Sequence, residues 1–161
     1  GQPELGAVYQ PTVDRLWYAL RGHGAYEIVA DRPPRRLRIS DVSILHEARM
    51  VSSASHPEEL VRKVREAAGI RDEEHVGSVG VKLGLIAAGV RDLYVNPAGR
   101  CKLWDTGGPE IILAEAGGRL TDFSGQPLSY TGGLAHNHGL VASNGHLHEA
   151  ALARLQPFLS K

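Results

Sequence analysis

The most informative part of this sequence is the stretch KLWDTGGPE at residues 102–110, continued by IILAEAGG at residues 111–118. It predicts a loop that opens directly into a helix, with Asp105 as the N-cap and Pro109 in the first turn. Apolar residues then recur at the spacing of one buried helix face, and the pair Gly117 and Gly118 predicts the end of the helix.

Asp105 has two possible roles in this stretch. The simpler interpretation is a capping residue, because Asp is a preferred N-cap. The alternative is a ligand in metal-assisted phosphoryl transfer, since Trp104 can shield one side of the carboxylate, and Gly107 and Gly108 leave backbone amides bare enough for a phosphate to approach. The local pattern leaves both interpretations open.

The composition is that of a globular chain and excludes several classes of function. Of the 161 residues, 42% are hydrophobic and 22% are charged, with 18 basic residues balancing 18 acidic ones. A net charge of zero provides no overall field for nucleic acid or a membrane surface, so any phosphate binding must be local. No apolar run is long enough to span a bilayer. Cys101 is the only cysteine, which excludes an internal disulfide and fits a reducing cytoplasm.

The first forty residues predict antiparallel strands. Two β-rich runs, Leu5 to Tyr9 and Arg15 to Leu20, flank the turn signal Pro11 to Asp14, and a third run covers Tyr26 to Val29. Because hairpins of this size are marginal alone, an open edge here predicts poor solubility, dimerisation or a missing partner segment. From residue 41 onward strand and helix patterns alternate, which predicts a largely parallel sheet covered by helices.

The central stretch carries a resemblance to a known family. Two successive patterns carry it: Trp104-Asp105-Thr106-x-x-Pro109-Glu110, then Ala116-Gly117-Gly118-x-x-Thr121-Asp122-x-x-Gly125. Together they resemble the last motif of the inositol-monophosphatase-like phosphatases, which are lithium-sensitive and magnesium-dependent. The resemblance is strongest to the 3'(2'),5'-bisphosphate nucleotidases of that family. The resemblance covers essentially the whole chain but only the C-terminal part of the family. It implies a layered α/β sandwich, with residues 1–40 as strands of an incomplete N-terminal sheet and residues 41–161 as a C-terminal α/β domain.

The resemblance also implies which residues hold substrate. The nucleotidases carry a Thr/Ser-x-Ser-His segment whose first and last members contact the nucleotide, which corresponds to Ser53 and His56 here. Ser78 and Lys82, in a Gly-Ser-x-Gly-x-Lys run, correspond to a second nucleotide contact, and a helix start with one ammonium suits an anion. Without the resemblance, His56 would be an ordinary turn histidine and Lys82 an ordinary surface lysine.

The implied activity is that of a phosphoric monoester hydrolase. The resemblance implies Mg²⁺ as cofactor, Asp105 as catalytic residue and metal ligand, and adenosine 3',5'-bisphosphate as the substrate class. Two alternatives remain: a non-catalytic module that binds phosphorylated nucleotides, and a relative of the inositol monophosphatases or of the sugar bisphosphatases. Inositol-specific members usually carry a Glu where Asn96 stands, which argues against inositol phosphates.

The implied metal site is incomplete. The family's other metal-binding carboxylates belong to a Glu-Glu motif and an Asp-Pro-x-Asp-Gly-Thr motif, and neither occurs in this sequence. One Asp cannot hold two divalent cations that each prefer six oxygens. We therefore expect the 161-residue chain to be inactive alone. We hypothesise that it is a fragment or one half of a split enzyme, completed by the missing N-terminal segment or a second chain, with a homodimer as another possibility.

Overall fold

Two sheets organise the chain, which a computed structural model describes over residues 1–55, 58–97, 99–131, 133 and 135–159. The first is antiparallel, in the order β1-β2-β3-β4. Its strands are β1 (Leu5–Gln10), β2 (Arg15–Leu20), β3 (Gly24–Val29) and β4 (Arg35–Arg36). The predicted hairpin is confirmed: a short 3-10 turn over Pro11–Val13 joins β1 to β2, and Asp14 takes a left-handed conformation with φ 47°.

The second sheet has five strands in the order β6-β5-β7-β9-β8. They are β5 (Arg49–Ser53), β6 (Asp72–Val76), β7 (Leu93–Asn96), β8 (Arg119–Thr121) and β9 (Leu140–Ser143). Strand β5 is parallel to β6 and β7, whereas β9 is antiparallel to β7 and β8. The sheet is therefore mixed rather than largely parallel. Strands β8 and β9 are joined without a helix, and parallel neighbours need such a crossover.

In the described part of the chain, four α-helices complete the layers of an α/β sandwich, as predicted. They are α1 (Glu59–Ala68), α2 (Val79–Ala87), α3 (Leu103–Glu115) and α4 (His148–Leu155). Helices α2 and α3 lie between the two sheets, where their apolar residues pack with Trp17 and Ala19 of β2 and with Val51 and Tyr94 of the second sheet. Helices α1 and α4 cover the opposite face of the second sheet around Met50. The division into units at residue 40 stays a prediction.

Two glycines allow the layers to approach closely. A Cβ added at Gly84 of α2 would lie 2.7 Å from Cδ2 of the fully buried Trp17, and a Cβ at Gly6 of β1 would lie 2.1 Å from the Gly108 carbonyl oxygen of α3. Real side chains do not tolerate such distances, so the absence of a Cβ sets how near the first sheet lies to the helices.

Helix α3 begins earlier than the sequence predicted. Its N-cap is Lys102, which has an extended backbone, so Asp105 is the third helical residue rather than the N-cap. The Asp105 carboxylate still contributes to the helix start, because its Oδ2 accepts a hydrogen bond from the Lys102 N–H at 2.8 Å. Pro109 lies in the second turn, inside the helix, where it cannot donate the usual hydrogen bond to the Asp105 carbonyl. The end of the helix before Gly117 is confirmed.

Within the ranges described, no helix combines the length and the apolar character needed to cross a bilayer.

Candidate functional site

A cleft of about 750 Å³ opens at the carboxyl ends of β5, β6 and β7. In open α/β sheets this edge is where ligands bind, because the loops that follow parallel strands meet there. The cleft brings together four of the five site residues predicted from the sequence: Ser53, Ser78, Lys82 and Asp105. The fifth, His56, lies outside the described residues.

Lys82 differs from the surface lysine that its sequence context alone predicts. Only 3% of the residue is exposed, and its ammonium donates a hydrogen bond to the Val76 carbonyl at 3.0 Å. The same ammonium lies 5.0 Å from the centroid of the Tyr94 ring. Burial lowers the Lys82 pKa to about 8, because desolvation disfavours the charged form. Lys82 is therefore a buried cation at the wall of the cleft.

Asp105 lies in the first turn of α3, next to the thiol of Cys101. The Cys101 Sγ lies 3.9 Å from Asp105 Oδ2. Burial, with a further contribution from the Asp105 charge, raises the Cys101 pKa to about 12, so the thiol stays protonated and donates toward the carboxylate. The Lys102 N–H thus orients Asp105, while the single thiol proton of Cys101 has two acceptors within reach, the Lys102 carbonyl at 3.7 Å and Asp105 Oδ2 at 3.9 Å.

Two ion pairs flank the cleft. Arg100 Nε lies 3.1 Å from Glu58 Oε1, and Arg65 Nη1 lies 2.7 Å from Glu73 Oε2. Both glutamates therefore already have a cationic partner. A phosphorylated ligand would compete with them for these guanidinium groups, since Arg pairs with carboxylate and phosphate through the same geometry.

Sequence reasoning missed two groups of the cleft, Tyr94 and His75, and used a third, Asn96, only to argue against inositol phosphates. Tyr94 and Asn96 are in β7, and His75 of β6 shares a hydrogen bond of 2.8 Å with Ser52. Among the described residues, no partner accepts a hydrogen bond from the buried Asn96 Nδ2. The one signal that could have indicated these residues is their position near the carboxyl end of a strand, where ligands bind in open α/β sheets.

A buried polar network holds the start of α3 against the loop before β9. Thr106 Oγ1 lies 2.7 Å from His136 Nε2 and 3.3 Å from the Tyr130 hydroxyl oxygen. The Tyr130 hydroxyl donates its proton to Glu110. The backbone N–H of His136 donates to the Cys101 carbonyl at 2.9 Å. Hydrogen bonds at Cys101, before Asp105 in the sequence, and at Thr106, directly after it, therefore fix the backbone that carries Asp105.

The residues at the cleft do not fit a complete magnesium site. Over the ranges that the structure describes, no group of three or more His, Cys, Asp or Glu side chains could hold a metal ion. Mg²⁺ prefers six oxygens in octahedral geometry. Asp105 supplies two carboxylate oxygens at most, and the nearby Glu58 and Glu73 are engaged by arginines.

Comparison with known proteins identifies relatives of different activities. The chain is 35% identical to the histidinol-phosphatase of Mycobacterium tuberculosis over 164 residues, which cover 96% of this chain and 58% of that protein. It is 35% identical to the 3'(2'),5'-bisphosphate nucleotidase CysQ of Aggregatibacter actinomycetemcomitans over 130 residues, which cover 80% of this chain and 47% of that one. Both relatives are phosphatases, but the chain is equally identical in sequence to each of them, so the comparison does not favour one substrate over the other.

Solved structures agree with the fold. The IMPase of Thermotoga maritima matches 99% of this chain and 58% of its own, with a TM-score of 0.80 and 27% identity. The chain thus spans about half the length of the curated relatives it matches. The model of the inositol monophosphatase family matches residues 1–159. Together with the layered fold and the cleft, this match shows that the chain belongs to the inositol monophosphatase family.

Proposed function

We propose that this chain forms the substrate-binding part of a phosphatase that hydrolyses the 3'(2')-phosphate of adenosine 3'(2'),5'-bisphosphate. The observation that carries the proposal is the convergence of Ser53, Ser78, Lys82 and Asp105 on one cleft of about 750 Å³. This volume is within the range of sites that bind small organic ligands, roughly 300–1,000 Å³.

Lys82 is the strongest support for an anionic ligand. Its buried ammonium donates to a carbonyl, and in the described part of the chain it forms no ion pair with a carboxylate. A phosphate in the cleft would provide the missing counter-charge in a desolvated setting, where a charged hydrogen bond contributes about 1.5–3 kcal/mol. Because the Lys82 pKa is about 8, anion binding requires the uptake of a proton at this group only above that pH.

The two serines suit the same ligand. Ser53 ends β5, and Ser78 is the N-cap of α2, a helix whose start opens onto the cleft. Backbone N–H groups and the positive end of a helix dipole favour phosphate there, and hydroxyls add donors of adaptable direction. A ligand with two phosphates would use the α2 start and Lys82 for one phosphate and present the other toward Asp105.

The proposal includes dependence on Mg²⁺, with Asp105 as one ligand of the metal. Since the described residues do not complete such a site, the remaining carboxylates would come from another polypeptide, either the family's N-terminal segment or a second chain. We therefore expect the isolated chain to bind substrate without turning it over. A homodimer and a cytoplasmic location remain predictions from the sequence.

A non-catalytic module for phosphorylated nucleotides is the second candidate. The absence of a metal-binding cluster among the described residues favours it, because Ser53, Ser78 and Lys82 need no metal to hold a phosphate. Inositol phosphates are less favoured, since the neutral amide of Asn96 stands where inositol-specific members usually have a carboxylate. Magnesium dependence separates the enzyme from the module.

The test begins with binding. Titration calorimetry would compare adenosine 3',5'-bisphosphate with histidinol phosphate and inositol 1-phosphate on the intact chain, with Lys82→Met as the control. Phosphate release would then be measured with and without Mg²⁺ and Li⁺, after adding a polypeptide that bears the two missing motifs. Magnesium-dependent, lithium-inhibited release supports the enzyme. Binding that never leads to release supports the module, and preference for another phosphate ester overturns the nucleotide assignment.

A further inference from the structure

Arg100 and Glu58 both line the cleft, but they belong to different segments of the chain. Arg100 lies on the segment that joins β7 to α3, and Glu58 is the N-cap of α1. The Arg100 Nε lies 3.1 Å from Glu58 Oε1, and the two side chains are 57% and 23% exposed. The cleft therefore contains an ion pair between two segments, and solvent reaches both of its members.

Two other arginines of the cleft are more firmly paired than Arg100. Arg62 forms four hydrogen bonds with two glutamates of its own helix, at 2.6 to 2.9 Å. Arg65 Nη1 donates a hydrogen bond of 2.7 Å to Glu73, whose side chain is only 13% exposed. Arg100 approaches its partner through Nε and at a longer distance, so both Nη groups of its planar fork can reach another acceptor.

A phosphate can replace Glu58 as the partner of Arg100 because the existing pair is weak. An exposed ion pair contributes little, since water screens both charges, whereas Arg holds a phosphate through two parallel charged hydrogen bonds. The exchange does not leave Glu58 in an unfavourable place either. Its carboxylate is partly exposed and lies at the start of α1, where the helix dipole favours a negative charge.

We propose that Arg100 is a specificity-determining residue, which exchanges Glu58 for a phosphate of the ligand and thereby selects ligands with two phosphates over ligands with one. Lys82 and the start of α2 hold one phosphate. Arg100 holds the phosphate that is presented toward Asp105, which follows it on the same segment. Glu58 is then an internal competitor that the ligand displaces from Arg100. The inference rests on the proposed function in taking a phosphate ester as the ligand, but it requires neither a metal nor turnover.

Ligands that differ by one phosphate test the proposal. Titration calorimetry on the intact chain would compare adenosine 3',5'-bisphosphate with adenosine 5'-monophosphate, and fructose 1,6-bisphosphate with fructose 6-phosphate as probes without a nucleoside. The variants are Arg100→Met, Glu58→Gln and the two combined. Arg62→Met is the matched control, because this side chain also lines the cleft and is 51% exposed. Thermal unfolding checks that each variant folds like the parent.

We expect Arg100→Met to weaken the binding of adenosine 3',5'-bisphosphate by about tenfold and that of adenosine 5'-monophosphate by less than about twofold, because only the bisphosphate loses a charged hydrogen bond. Glu58→Gln should tighten the binding of the bisphosphate by about threefold, and this gain should disappear in the combined variant, since it depends on Arg100. Arg62→Met should bind both ligands like the parent.

Equal weakening of both nucleotides in Arg100→Met would overturn the proposal, because the residue would then act through its charge on any anion. So would a gain from Glu58→Gln that persists in the combined variant. If the parent binds neither nucleotide, the nucleotide assignment fails and the sugar phosphates decide. Loss of the preference for fructose 1,6-bisphosphate in Arg100→Met then supports the role of Arg100, and an absent or unchanged preference overturns it.

Discussion

The Lys82 ammonium lies 5.0 Å from the centroid of the Tyr94 ring and donates a hydrogen bond to the Val76 carbonyl, with 3% of the residue exposed. The aromatic face and the carbonyl stabilise a charge that burial disfavours, and the carbonyl can satisfy only one of its three donors. The cleft therefore holds a cation that is positioned but, among the residues that the structure describes, not paired with a carboxylate, which makes Lys82 the most informative residue to change.

Lys82→Met should weaken the binding of adenosine 3',5'-bisphosphate by about tenfold to a hundredfold, because one charged hydrogen bond to the ligand contributes about 1.5–3 kcal/mol. The folded chain should not lose stability, since the variant no longer buries an ammonium. Titration calorimetry and thermal unfolding measure the two effects. Lys63→Met on the exposed side of α1 is the matched control and should bind like the parent. Equal affinity of the two variants for the ligand would contradict a role for Lys82 in binding it.

The affinity for the same ligand should decrease as the pH rises through about 8. The Lys82 pKa is lowered to about 8, so the free chain is neutral at this position above that pH and must take up a proton to bind an anion. Raising the pH from 7 to 9 should weaken binding by about tenfold, because each pH unit beyond the pKa costs one power of ten. The Lys82→Met variant should show a flat profile over this range. A parent profile that is equally flat would mean that Lys82 does not pair with the ligand.

Gly84→Ala should destabilise the fold although it improves the helix propensity of α2. The added Cβ would lie 2.7 Å from the buried indole of Trp17, and overpacking of this kind costs about 1–3 kcal/mol. Gly107→Ala in α3 is the matched control, because its nearest neighbour would be Tyr130 Cε1 at 3.7 Å. It should be neutral or gain up to about 1 kcal/mol from helix propensity. Urea unfolding measures both, and equal behaviour of the two variants would contradict a close approach at Trp17.

Stability should fall as the pH drops from 6.5 toward 4 because of His148. This residue is fully buried between the hydroxyls of Thr121 and Ser143, both at 2.9 Å, and burial lowers its pKa to about 4. The unfolded chain binds a proton near pH 6.5 and the folded chain does not, so the free energy of unfolding decreases across this window by up to about 3 kcal/mol.

Urea unfolding at several pH values tests this contribution. His148→Asn should be less stable than the parent at pH 7, since the hydrogen bonds of the imidazole with the two hydroxyls are lost. Its free energy of unfolding should, however, decrease less between pH 7 and pH 5. His146→Asn, at an exposed neighbouring position, should keep the parent's pH dependence. His136 has a lowered pKa for the same reason, so some pH dependence remains in the His148 variant. An unchanged slope in His148→Asn would contradict the assignment.

Much of the fold could be predicted from local pattern. The hairpin of β1 and β2 follows from two alternating runs around a Pro-containing turn, and the end of α3 follows from Gly117 and Gly118. The start of α3 was predicted wrongly, because an Asp before helical residues suits both the N-cap and the third helical position. The direction of β9 was also missed, since pairing direction depends on the connection between strands and not on their own residues.

The candidate site was found in part because it is built from strand ends and helix starts. Ser53, Ser78 and Asp105 stand at such positions, and the resemblance to the nucleotidases is what indicates them as site residues. The burial of Lys82 was not foreseen, because the sequence around it does not indicate that Tyr94 and the end of β6 enclose it. Thr106 and His136 are thirty residues apart in the sequence, and the periodicity of neighbouring residues does not predict a contact over such a separation.

By itself, the sequence determined the order of strands and helices, the family, and the absence of the two motifs that would complete a metal site. These depend on the identity and spacing of neighbouring residues, which act locally through propensity, capping and alternation. The tertiary structure was needed to show that four distant residues share one cleft and that Lys82 is a buried cation. Burial and pairing are set by what packs from elsewhere in the chain, so no local pattern contains them.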